Sequence, residues 1–287
     1  MRPARERRLQ LRQGQEEAIT PVDPAPPRLP HAPQRIVSLV PAHTASLFDL
    51  GLGARLVGRT LACTYPAERV ALLPAVGGPL VPDVAAILAL QPDLVLAHEG
   101  TSAALAALAA AGVPTWVTPD LRTVRAALTQ LWELVRLCDA PQAGHSLAAL
   151  ERSYEITRQA ADDAPRSRVF CALAPEPGSM AWAAAGPASY VGDLLYTCGG
   201  DCVPGPAGES VAAVLPDDLT RLAPDVILLP SGPFTEADLA AFDAWPDLPA
   251  VAAGRVYLVD AATLTWPGTH LARALAELPA LLHIPSA

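Results

Sequence analysis

No lysine occurs anywhere in the 287 residues; all 20 basic side chains are arginines. Schiff-base chemistry and phosphate-binding P-loops both need a lysine amine, so both are excluded. Positive charge is scarce as well. The 29 acidic residues leave a net charge of −9, a balance that argues against nucleic acid and anionic membrane surfaces as partners. Long apolar runs are missing: Pro, Gly or charge interrupts each one well short of the ~20 residues a membrane helix needs. The sequence has no Gly-x-Ser-x-Gly elbow, no Cys-x-x-Cys pair and no His-x-x-x-His pair, which leaves an enzyme little to work with. Five scattered cysteines make no disulfide framework. Cys198 and Cys202 are close enough for a bridge or half a metal site, although two unpaired thiols flanking a turn is the simpler reading.

Residues 1–34 are charged, then Pro-rich, without periodicity, and read as a disordered or loosely attached leader. Their start is basic, but no apolar segment or cleavage site follows, and no cysteine precedes Cys63. The expectation from the sequence as written is therefore a cytoplasmic chain.

What the sequence has is apolar residues (51%) arranged as an internal repeat. Leu90-Gln91-Pro92-Asp93-Leu94-Val95-Leu96 returns as Leu222-Ala223-Pro224-Asp225-Val226-Ile227-Leu228. Each copy reads as a helix end, a Pro-Asp turn and a buried strand. A β-branched run precedes each at nearly the same distance, Ile36-Val37-Ser38 in one half and Val169-Phe170-Cys171 in the other. Another strand follows each, at Thr115-Trp116-Val117 and at Val256-Tyr257-Leu258-Val259. Strands alternating with helical patterns imply parallel sheets covered on both faces. The fold class expected is α/β, with two similar lobes, each a parallel-sheet sandwich, joined by a long helix. The boundaries expected are an N-terminal lobe over 35–120, connecting helices over 121–165 and a C-terminal lobe over 166–287. Leu128, Leu131, Val135 and Cys138, then Leu147, Leu150 and Tyr154, mark the apolar stripes of that connection. A helical joint resists bending, so small relative movements of the lobes are expected.

Three stretches carry a family resemblance. They are Arg35-Ile36-Val37-Ser38-Leu39-Val40-Pro41 leading into Leu50-Gly51-Leu52-Gly53; Cys63-Thr64-Tyr65-Pro66 with Val76-Gly77-Gly78 and Leu90-Gln91-Pro92-Asp93; and Leu194-Leu195-Tyr196-Thr197-Cys198-Gly199-Gly200 with Ala223-Pro224-Asp225. In this order the chain resembles the helical-backbone substrate-binding proteins of ABC transporters, and the Cys-x-Tyr-Pro segment points to their cobalamin-binding branch. The resemblance implies a binding protein, not an enzyme. Its ligand would be cobalamin or another corrinoid, otherwise haem or a ferric siderophore, held between the lobes for delivery to an importer. It implies a periplasmic or cell-surface location, a monomer, a permease as partner and no required cofactor or resident metal. Two other readings stand beside it: a cytosolic carrier or regulator of the same fold, and a metal-dependent enzyme using His43, His98 and Glu99.

In paired α/β lobes, ligands sit beyond the carboxyl ends of the strands. That rule selects His43, Tyr65, His98, Glu99, Trp182, Tyr190 and Trp266 as candidate ligand contacts. His43, His98 and His270 come from three separate strand ends and could converge as metal ligands, although a loop-capping hydrogen bond for each is the simpler reading. If the cleft holds a corrinoid, Trp182 is expected to stack on or flank it. The family resemblance places transporter-docking acids near the helices that precede the Pro-Asp turns. Asp217 fits in the second half. In the first half Ala85 takes that place, with Asp83 two residues earlier. Both aspartates also read as helix N-caps.

Overall fold

The computed structural model describes residues 25–99, 102–204 and 208–283. Most of the stretch read as a leader, residues 1–24, lies outside the described residues. Its last part is attached: the Gln34 and Arg35 amides donate to Asp93, and Arg55 donates to the Pro33 carbonyl.

Two sheets form. In the first, β1 (Ile36–Ser38), β2 (Leu56–Arg59), β3 (Leu94–His98) and β4 (Thr115–Thr118) lie in the order β2-β1-β3-β4, all parallel. Its crossovers carry α1 (Pro41–Asp49), then α2 (Ala67–Val70) and α3 (Val84–Ala89), then α4 (Ser102–Ala110). Helices α5 (Val124–Leu137) and α6 (Gly144–Asp162) lead to the second half. There β5 (Ser167–Pro175), β6 (Trp182–Ala185), α7 (Tyr190–Thr197), β7 (Gly200–Val203) and β8 (Val211–Val214) come first. They are followed by α8 (Asp218–Leu222), β9 (Val226–Pro230), α9 (Glu236–Ala240), α10 (Pro249–Ala252), β10 (Val256–Val259), α11 (Ala261–Thr265) and α12 (Leu271–Leu282). Strands β10, β9, β5 and β7 run parallel in that order, which repeats β4, β3, β1 and β2. The nine-residue β5 then outruns this set, and its far end pairs with β6, which pairs with β8, both antiparallel. Parallel lobes are thus joined by helices, and an antiparallel extension is added to the second.

The repeated motif has a physical cause. In the first half, Arg35 donates from Nε to the carbonyls of Leu90 and Gln91 and from Nη2 to Leu90. Arg168 does the same to Leu222 and Ala223. Asp93 and Asp225 accept the amides of Arg35 and Arg168 at 2.9 and 2.8 Å. The residue clasped between them, Gln91 (φ 48°) or Ala223 (φ 40°), is left-handed, a conformation that costs a non-glycine residue about 1 kcal/mol. The Arg–Asp clasp is what holds it, because it satisfies the helix-end carbonyls that would otherwise lack partners.

Alternation along the strands decides where the cores sit. Val37, Val95 and Ala97 face one way, into a core private to the first lobe with Ile87 and Leu108. Phe170, Ala172, Ile227 and Leu229 do the same in the second lobe with Phe234 and Phe242. The alternate residues Ile36, Leu94, Leu96, Val169, Cys171, Val226 and Leu228 face a single continuous cluster built on α5, α6, α7 and α12. The connecting helices are therefore part of a core that both sheets share. Thr123 caps α5 through Ala126, and Asp193 of the second half accepts the Val124 amide at 2.9 Å.

Candidate functional site

The carboxyl ends of the parallel strands set the cleft, as in other open α/β sheets. The two halves touch across it at opposite edges of the first sheet. Beyond edge strand β2, Tyr65 meets His270 edge-on with ring centroids 4.6 Å apart, and His270 lies 5.3 Å from Trp266. Beyond β4, at the other edge, Arg122 donates to Ser210 and to the Ala188 carbonyl. The first contact is braced from behind. Thr269 donates to Asp49 Oδ2 at 2.6 Å, and its amide donates to Ser46 Oγ. Gly268 permits that approach, since a Cβ there would stand 2.6 Å from Ser46 Oγ. Burial holds the His270 imidazole below the usual histidine pKa, which favours the neutral ring.

Between these contacts, the first lobe presents His98 and Glu99 at the end of β3. His98 Nε2 lies 2.9 Å from Asp120 Oδ1, and donor atoms of His98, Glu99 and Asp120 all fall within 4.8 Å of one another. The sequence reading missed Asp120. Its signal is topological: β4 pairs with β3 so that His98 stands opposite Thr118, which puts the residue two further on beside the imidazole.

Two of the expected contacts, His43 and Tyr190, are buried. His43, on α1, is turned back into the core, where Nε2 pairs with Gln130 at 2.8 Å and the ring stacks on Trp116. Desolvation depresses its pKa, and Nδ1 has no hydrogen-bond partner among the described residues. The three histidines therefore do not converge on one point. Tyr190 is buried at the start of α7 with its hydroxyl unpartnered among the described residues. Burial raises its pKa. Trp182, half-buried, stacks on Phe242 at 5.7 Å and meets Phe170 and Trp245 edge-on, so its ring packs against the aromatic core of the second lobe. The alternation that puts Trp182 inward belongs to β6, an antiparallel strand the repeat does not contain.

Asp83 and Asp217 are both exposed. Asp83 caps α3 by accepting the Ala86 amide at 3.0 Å, whereas Asp217 makes no capping bond. Its neighbour Asp218 instead accepts the Leu215 amide and pairs with Arg221. Cys198 and Cys202 are free thiols, the first ending α7 and the second in β7. No helix among the described residues is long and apolar enough to cross a membrane.

Two parallel-sheet lobes on a shared helical core define a helical-backbone binding-protein architecture. Residues 36–263 match the family described as periplasmic binding protein, and the chain belongs to that family. Over 256 residues it is 28% identical to the uncharacterized ABC transporter substrate-binding lipoprotein YvrC of Bacillus subtilis (strain 168), covering 86% of this chain and 79% of that one. Among solved structures it is similar to the periplasmic heme-binding protein RhuT from Roseiflexus sp. RS-1, at 27% identity and a TM-score of 0.75 over 86% of this chain and 97% of that one. It is also similar to the heme-binding BhuT, solved with two hemes, at 25% identity and a TM-score of 0.75, with 88% and 98% covered. The vitamin B12-binding BtuF of Vibrio cholerae shares the fold at 21% identity and a TM-score of 0.73, with 88% and 97% covered.

Proposed function

We propose that this chain is the ligand-receiving component of an ABC importer that works outside the cytoplasm, and that it holds a flat metal chelate of the haem class between its lobes. The observation that carries this reading is the Tyr65–His270–Trp266 group, in which Tyr65 of one half and Trp266 of the other flank the buried His270 and keep exposed ring surface at one edge of the cleft. A planar macrocycle is bound chiefly through such faces. Haem takes precedence over a corrinoid because RhuT and BhuT, at 27% and 25% identity, are both heme-binding, whereas the B12-binding relative at 21% supports the fold alone. The substrate-binding lipoprotein relative supports the location and the permease as partner. A metal-dependent enzyme built on His43, His98 and Glu99 loses its first member, because His43 is committed to Gln130. No turnover is proposed, and so no cofactor.

Absorption titration of the purified chain, assumed to act as a monomer, with hemin and separately with cyanocobalamin tests the reading. Saturable one-to-one hemin binding is expected. Removing one stacked ring in Trp266→Ala should weaken it about 5- to 150-fold, the equivalent of ~1–3 kcal/mol. Binding of cyanocobalamin alone would move the ligand to the corrinoid class, and binding of neither would overturn the chelate reading.

A further inference from the structure

We infer that the first-lobe wall of the cleft is a binding site for a bare divalent transition-metal ion, held by His98, Glu99 and Asp120. One imidazole and two carboxylates are a donor set suited to Mn²⁺, Fe²⁺, Co²⁺ or Zn²⁺. The spacing fits such an ion. Two donors bound cis to one octahedral ion at about 2.1 Å stand about 3.0 Å apart. His98 Nε2 and Asp120 Oδ1, hydrogen-bonded to each other at 2.9 Å, already stand at that spacing, and an ion would take the place of that bond. Glu99 brings the third donor within 4.8 Å of the other two, so a side-chain rotation completes a triangular face. Three coordination positions are then left open toward the cleft for water or for an atom of a bound ligand.

The electrostatics point the same way. Asp120 has His98 as its partner, and neither Glu99 nor Asp120 pairs with an arginine among the described residues, although arginines neutralise carboxylates elsewhere on the molecule. Two carboxylates this close repel each other, and a dication between them reverses the sign of that interaction. The first two donors are held by backbone: His98 ends β3, and β4 aligns Thr118 beside it in register. The side chains are 35% and 75% exposed for His98 and Asp120, so an ion can reach them from solvent without opening the fold.

The site is independent of the chelate reading, because the probe is the metal salt alone. Isothermal titration and equilibrium dialysis of the metal-stripped chain with Co²⁺ and Zn²⁺ should show one site. His98→Ala, Glu99→Gln and Asp120→Asn should each weaken it about 10-fold or more, at least the loss expected for an outer-shell partner. The cobalt absorption spectrum should report mixed nitrogen and oxygen ligation and lose its nitrogen signature in His98→Ala. Hemin titration of the same variants separates the two proposals. Metal binding lost with hemin binding retained in these variants is the result expected. A parent chain that binds hemin but no metal ion overturns the metal site alone, and one that binds the metal ion but not hemin overturns the chelate reading alone. Absence of a site tighter than millimolar, or affinity unchanged in all three variants, would overturn the inference. Unchanged melting temperatures in these exposed positions would confirm that the losses are local.

Discussion

The two lobes are built on one plan and finished differently. Both hold a helix end against a sheet through an Arg–Asp clasp with the same bonds to the same relative carbonyls. Both send alternate strand residues into the same helical core. Beyond that they diverge. The first lobe leaves its strand ends open and places titratable side chains there, His98, Glu99 and Asp120. The second extends β5 into an antiparallel set and packs Trp182, Phe242, Trp245 and Phe170 against it. Parallel pairing repeats because it rests on local clasps, whereas cleft chemistry varies because strand-end loops carry no such constraint. The His–Glu–Asp cluster thus falls to the first lobe and the four-ring aromatic cluster to the second.

The largest break in that comparison should come from Trp182→Ala. Loss of a ring packed on three others should cost about 3 kcal/mol, the lower end for a core aromatic that keeps some exposure. Trp266→Ala, at the cleft, should cost less than about 1 kcal/mol because far less of its surroundings depends on it. Urea unfolding of both variants checks the contrast; equal losses would dissolve the distinction between core and cleft aromatics.

His43→Leu tests the first lobe's tie to the shared core. It leaves the buried Gln130 amide without its partner, at a cost of about 2 kcal/mol at pH 8. The loss should shrink in acid. His43 has a depressed pKa when folded, so the unfolded chain takes up the proton first, near the ordinary value of about 6.5. Its contribution to stability is full above that pH and falls away as the pH drops below it. Unfolding curves between pH 8 and 5 should therefore be flatter for the variant than for the parent chain. His270, also depressed, leaves a residual slope in both.

The clasp predicts sameness. Arg35→Ala and Arg168→Ala should each cost about 1 kcal/mol, and the two values should agree within about 0.5 kcal/mol. A marked inequality would mean that the repeat is geometric without being energetic. The smallest effects separate the two exposed aspartates. Asp83→Ala removes a working cap and should cost about 1 kcal/mol, while Asp217→Ala should fall within about 0.5 kcal/mol of the parent. Thermal melts resolve both. If the two acids also dock the transporter, importer-dependent uptake should fall in each variant regardless of its stability.

Sequence alone determined the elements that depend on near neighbours and periodicity. The Pro-Asp repeat named two lobes, because a helix end, a turn and a buried strand follow from a dozen consecutive residues. The stripe from Leu128 to Tyr154 named the helical joint, because burial on a helix recurs every three to four positions. The loops carrying Tyr65, His98 and Trp266 were legible as strand ends. Only the tertiary structure decided which side chains in those loops meet. His43 follows a strand end just as His98 does, yet α1 begins at Pro41 and rotates His43 onto Gln130, a partner 87 positions away. Trp182 looked like a loop aromatic until β6 paired antiparallel with β5 and turned it inward. Asp120 joined His98 only through the pairing of β3 with β4. Local pattern fixes what each segment becomes, but contact between distant segments depends on sheet order and helix rotation, which no short window of sequence contains.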